Sequence, residues 1–187
     1  VPSTQEEIYS FDGGLDGGAG VWFTGDATDF FSVTNDKTVT GDKALKFTCS
    51  DVNALPVTKV QMGLGNVDTD NSFINLDAGS YDVKFKIWIE AGCAVTGIGL
   101  NIKEPWAASN FDLTTLATGE WVSLTNMVTL SEAAVNSNFQ IIVKDINYGL
   151  GTFYIDDIIQ TETPIPPCEA ETMQSLNASD FYLTFMS

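Results

Sequence analysis

Apolar and polar residues alternate with a period of two along most of this chain. No stretch of ten or more residues carries the 3.6-residue period of an amphipathic helix. Residues 80–90 show the alternation best: Tyr81, Val83, Phe85, Ile87 and Ile89 fall on one side, and Asp82, Lys84, Lys86, Trp88 and Glu90 on the other. The same pattern predicts strands over 7–11, 21–23, 43–49, 58–64, 97–103, 120–130, 139–145 and 151–159. Turn clusters separate them, among them Asp12-Gly13-Gly14, Asp16-Gly17-Gly18, Gly41-Asp42, Ala78-Gly79, Glu104-Pro105 and Thr118-Gly119. Nine short strands spaced in this way predict an all-β fold, an antiparallel β-sandwich of the jelly-roll kind. Residues 107–117 are expected to form one helical turn or a long loop.

The pattern stops near residue 161. Thr161-Glu-Thr-Pro164-Ile-Pro166-Pro167 has no alternation, and its three prolines favour an extended, semi-rigid linker. The chain therefore divides into a sandwich over 1–160, a proline-rich and polar linker over 161–179, and an extra strand over 180–187. In that last piece Phe181, Leu183 and Phe185 share one side. A lone apolar strand is not stable in water. It pairs with its own sandwich, pairs with a neighbouring copy, or begins a further module.

Charge narrows the chemistry. The 187 residues include 8 basic and 25 acidic side chains, a net charge of −17, and every basic residue is a lysine. Without arginine or clustered cations, nucleic acid is not an expected partner. Without histidine, imidazole metal sites and histidine-assisted nucleophiles are excluded. Hydrophobic residues make up 44% of the chain, enough for a packed core, but no apolar run approaches a membrane span. Asp156 and Asp157, as neighbours on a strand, are expected on opposite sheet faces, which is wrong for a cooperating acid pair. No nucleophile elbow, phosphate loop or cofactor fingerprint occurs, so catalysis is not expected. The start at Val1 reads as a mature secreted chain, or as one trimmed in another way. Cys49, Cys93 and Cys168 permit one disulfide or three buried thiols, and the proline-rich setting of Cys168 makes it the better disulfide candidate. Asn177-Ala-Ser179 is a glycosylation sequon. Asp68, Asp70 and Asn71 read as a solvated turn ahead of a metal site.

Five segments, in order, resemble the galactose-binding-like jelly rolls. They are Ser10-Phe11-Asp12-Gly13-Gly14, then 40–47 (TGDKALKF), 79–88 (GSYDVKFKIW), 119–124 (GEWVSL) and 151–158 (GTFYIDDI). Together they look like the carbohydrate-binding modules of the family 4, 16 and 22 group, over residues 7 to 160. The resemblance implies a non-catalytic module that holds a polysaccharide. It also implies a structural Ca2+ between the first loop and the last strand. By position, Asp12 and Asp157 would supply carboxylates, with backbone carbonyls near Thr40 and Lys43 completing the site.

Alternation picks out a binding face. Trp88 stands among Lys84 and Lys86 on the side of its strand away from the core. Asn101 and Lys103, and Gln140 and Lys144, are the outward residues of 97–103 and 139–145. If these strands lie in one sheet, four lysines gather beside Trp88, and an indole flanked by amides and lysines suits a sugar ring. The alternative for Trp88 is cover by a loop or by the tail. Trp106 sits on a loop, where binding and packing are equally open, and Trp121 is expected in the core by family position. A second reading is a secreted filament or surface-layer subunit, in which Phe181, Leu183 and Phe185 add a strand to a neighbouring copy.

Overall fold

Strands form here because short runs of β-branched and aromatic residues alternate with polar ones between glycine turns. The structure, a computed structural model, describes residues 5–9, 11–12, 21–23, 30–51, 58–62, 74–137, 139–143 and 150–162. Among these, every regular element is a strand: β1 (Gln5–Tyr9), β2 (Val21–Phe23), β3 (Phe31–Thr34), β4 (Ala44–Cys49), β5 (Thr58–Met62), β6 (Ile74–Leu76), β7 (Gly79–Ile89), β8 (Gly97–Ile102), β9 (Ala107–Asp112), β10 (Trp121–Leu130), β11 (Ala134–Ser137), β12 (Phe139–Val143) and β13 (Gly151–Glu162).

All pairing is antiparallel. Sheet A runs β10-β7-β13-β4-β3, with β1 also on β13. Sheet B runs β2-β5-β12-β8-β9, and β6 pairs with β11 separately. Strand β13 carries β7 along one side. Its other side is shared by β4, against 151–155, and β1, against 158–161. Between Asp156 and Ile159 the register with β7 slips by one residue, and Asp157 has a positive φ of 51°. This is a β-bulge.

The core lies between the two sheets. Tyr81, Val83, Phe85, Ile87 and Ile89 are all buried, as their alternation predicts. Phe47 stacks on Phe153 at 4.8 Å within sheet A, and Phe85 of β7 meets Phe111 of β9 edge-on at 4.8 Å, tying sheet A to sheet B.

Each of the nine predicted strands has a counterpart, and four more appear: β3, β6, β9 and β11. The helical turn or long loop expected over 107–117 is instead β9 for its first half. The register explains this, because Ile98 lies opposite Phe111 and Leu100 opposite Ser109, so β9 closes a hairpin on β8. The last strand continues to Glu162, two residues past the boundary expected at 160.

Candidate functional site

Register places an aromatic row across the outer face of sheet A. Trp121 lies opposite Trp88, Trp88 opposite Tyr154, and Tyr154 opposite Lys46. The two indoles pack edge to face at 6.0 Å. Trp121 is therefore part of this outer row, not of the core.

The loop between β3 and β4, residues 35–43, folds back over that row as a strap. Lys37 Nζ lies 4.4 Å from the Trp88 ring centre and 3.5 Å from Glu90 Oε1. Lys46 Nζ reaches Asp36 Oδ2 at 2.8 Å and sits 5.5 Å from the Tyr154 ring. Hydrogen bonding to Lys46 holds the Asp36 carboxyl below its ordinary value, and Asp36 raises Lys46 in return. Beneath the strap, Asp156 is fully buried, and its Oδ2 accepts from Val39 N at 2.7 Å and Thr40 N at 3.4 Å. Its Oδ1 accepts from Asp157 N at 2.8 Å. Burial pushes its carboxyl above the ordinary value, the three N–H donors pulling the other way.

The expectation that Asp156 and Asp157 work on opposite faces fails at the bulge. Asp157 Oδ2 accepts from the Thr40 hydroxyl at 2.9 Å, so both carboxylates meet at residue 40. Asp12 joins the same turn, its Oδ1 accepting from Asp42 N at 2.6 Å and Lys43 N at 3.1 Å. Gly41, with φ of 66°, leaves room for the Asp12 carboxylate where a Cβ would collide with it. Asp12, Thr40, Lys43 and Asp157 thus surround one turn. Among the described residues, no three acids or thiols stand close enough together to hold a metal ion by themselves.

The predicted binding residues do not gather. Trp88, Lys84 and Lys86 belong to β7 in sheet A, while Asn101 and Gln140 belong to β8 and β12 in sheet B, on the other side of the sandwich. Alternation tells which side of a strand a residue takes, not which sheet the strand joins. Trp88 is half-buried under Lys37, and its Nε1 is shut from solvent without a hydrogen-bond partner among the described residues. Asn101 and Gln140 face each other in register on the side of sheet B away from the core, yet each is only 2% exposed. Asn101 Oδ1 instead accepts from Ser109 N at 3.3 Å, holding β9 on β8.

Lys103 and Trp106 remain open, at the end of the β8–β9 hairpin. Trp106 is 59% exposed, the one exposed large aromatic among the described residues. The hairpin end is anchored by Glu104 N donating to Ser137 Oγ at 3.0 Å. A polar cleft of about 570 Å3 beside the strap is lined by Thr34, Asn35, Thr38 and Asp42 among others, with no aromatic among the described residues. Lys144, Cys168, Asp68, Asp70, Asn71, Phe181, Leu183 and Phe185 lie outside the described residues.

The sequence matches no protein-family model and no curated protein. The architecture does match solved structures. One is the xylan-binding module CBM15, at TM-score 0.54 and 12% identity, covering 88% of this chain and 100% of that one. Another is a family 16 carbohydrate-binding module, at TM-score 0.53 and 13% identity, covering 84% and 100%. The fold is the β-sandwich of carbohydrate-binding modules. An arabinose-bound α-L-arabinofuranosidase matches at TM-score 0.61 and 10% identity over 83% of this chain, which spans only 26% of that enzyme's length.

Of the two alternatives for Trp88, cover by a loop is the one found, in the strap over 35–43, which the sequence pattern did not single out. Trp88 and Tyr154 are large aromatics at outward positions of adjacent central strands. Such a surface is rarely left wet, which calls for a covering segment.

Proposed function

We propose that this chain is a non-catalytic carbohydrate-binding module that works outside the cell and attaches to polysaccharide through Trp106. The observation that carries this reading is the exposure of Trp106 on an anchored hairpin end, where Lys103, three positions earlier, is also exposed. A flat indole offers its face to the C–H side of a sugar ring, and a lysine offers donors to hydroxyl or carboxylate groups. The shared fold with carbohydrate-binding modules supports it. Asn101 holds β9 on β8 through Ser109, and Gln140 is buried beside it. Trp88, Lys84 and Lys86 serve the other side of the sandwich. The donor strand of the filament reading lies outside the described residues, and nothing on the sandwich selects that reading over this one.

The test is affinity electrophoresis against soluble xylan, arabinoxylan and mannan, with a cellulose pull-down. Trp106→Ala is expected to weaken whichever interaction is found by at least about tenfold, roughly 1.4 kcal/mol. Trp88→Phe is expected to leave it within about twofold, a change of less than 0.5 kcal/mol on the same scale. The reverse ranking would move the site to sheet A, and no binding by the wild type would sink the reading.

Calcium belongs to the same proposal. The donor set fits in kind: Asp12 and Asp157 each keep a second oxygen without a hydrogen bond among the described residues, on either side of the 40–43 turn. Carbonyls near Thr40 and Lys43 would complete an oxygen shell. Saturating calcium is expected to raise the unfolding midpoint by about 5 °C over the chelated protein, and Asp12→Asn to abolish the difference. Equal midpoints with calcium and with chelator would remove the metal from the proposal.

A further inference from the structure

Strand β13 opens at Gly151, opposite Cys49 of β4. The next core-facing pair on that ladder, Phe153 and Phe47, stacks its rings at 4.8 Å. Gly151 has no side chain to set beside Cys49. Cys93 fills that space: a Cβ built on Gly151 would lie 2.5 Å from Cys93 Cα and 2.6 Å from its Sγ. Residues directly opposite on antiparallel strands have Cβ atoms about 4.5–5.5 Å apart. Cys93 therefore occupies the space over Gly151, the position that lies opposite Cys49 on the ladder.

Backbone bonds fix this placement. Glu90 N donates to Thr152 O at 3.0 Å, Cys93 N to Glu90 O at 3.1 Å, and Ala94 N to Leu150 O at 2.6 Å. The turn that carries Cys93 is thus tied to the opening of β13 on both sides of Gly151. Cys49 is buried in the core cluster and Cys93 packs on its edge; both are free thiols, and Cys49 Sγ contacts Asp51 O at 3.3 Å. Bonding to Cys93 requires the Cys49 sulfur to leave Asp51 O by rotation about its side-chain bond. Cys93 also lines a cleft of about 210 Å3, with Ile89, Val95, Leu113 and Leu116, so a small reagent reaches it from solvent.

We propose that Cys49 and Cys93 form a disulfide, fastening β4 to the turn after β7, when the chain meets a small-molecule disulfide such as oxidised glutathione. The Cys93 thiolate attacks one sulfur of the reagent, forming a mixed disulfide and releasing one glutathione thiolate. The Cys49 thiolate then attacks Cys93 Sγ and releases the second. Two protein S–H bonds are lost, one S–S bond forms, and the reagent disulfide is reduced to two thiols. Burial pushes the Cys93 thiol up, so the exchange quickens as pH rises above neutrality.

The test is to bring the full chain to equilibrium in a glutathione redox buffer, digest it without reduction, and map the cross-linked peptides by mass spectrometry. The expected product joins Cys49 to Cys93, and forms equally in Cys168→Ser. The oxidised protein is expected to unfold roughly 5–10 °C higher, a shift that dithiothreitol reverses and Cys93→Ser lacks. A plateau with all thiols free, or a cross-link from Cys168 to either partner, would overturn the proposal.

Discussion

Asp156→Ala is expected to lower the unfolding free energy by about 3 kcal/mol, seen as a fall of roughly 6–12 °C in the melting midpoint. The Asp156 carboxylate is fully buried and accepts three N–H groups, from Val39, Thr40 and Asp157. Alanine leaves those donors without an acceptor, at roughly 1–3 kcal/mol for each one still shielded from water. The loss does not stay local. Val39 and Thr40 lie in the strap that holds Lys37 over Trp88, so the variant releases the roof of the aromatic row. Its tryptophan emission is expected to shift red and to quench more readily with acrylamide. A stability loss below about 1 kcal/mol, less than one orphaned donor costs, would mean that the strap is not anchored there.

Asp156→Asn separates packing from charge. Burial raises the Asp156 carboxyl in the folded chain above its unfolded value near 3.8. Between the two values the folded state binds more protons, so this contribution to stability is full below the unfolded value and declines as pH rises through the folded one. Asparagine does not titrate. The stability difference between wild type and Asp156→Asn is therefore expected to narrow as pH rises across that window, while acids other than its charge-coupled neighbour Asp157 cancel in the comparison. A difference that widens would show that the N–H donors outweigh burial and hold the carboxylate form.

Sheet strands were legible where several core-facing residues repeat along one element, as in Tyr81, Val83, Phe85, Ile87 and Ile89. They were not legible in β6, three residues long, or in β9, where Ala107, Ala108, Ser109 and Asn110 have little strand preference and hydrogen bonding to β8 decides. The side of a strand could be read, but its sheet could not. That is why Asn101 and Gln140 were grouped with Trp88, from which the core separates them. The contact between Val39 and Asp156 spans 117 positions and has no local signature. Strict alternation at Asp156 and Asp157 ignored the bulge, and the hydrogen bonds that Asp12 and Asp157 make to residues 40–43 join segments distant in the chain, which no local pattern marks.

Gly151→Ala is expected to cost about 3 kcal/mol or more, although it adds a single methyl group. Two causes combine. Gly151 has φ of 134°, a conformation that side-chain-bearing residues rarely adopt, at roughly 1–3 kcal/mol. The new Cβ would also press on Cys93 at both Cα and Sγ. The sulfur can turn away, but the Cα cannot, because the turn carrying it is bonded to Leu150 and Thr152 on either side of the same glycine. Cys93→Ala removes only the sulfur contact, so the double variant is expected to recover less than half of the loss. Urea unfolding of the two single variants and the double one gives the coupling directly. Full recovery would show that the sulfur alone filled the space over Gly151. A cost below about 0.5 kcal/mol for Gly151→Ala, within the range of an ordinary surface substitution, would show that Cys93 does not occupy that space and would remove the packing that sets Cys93 over the position opposite Cys49.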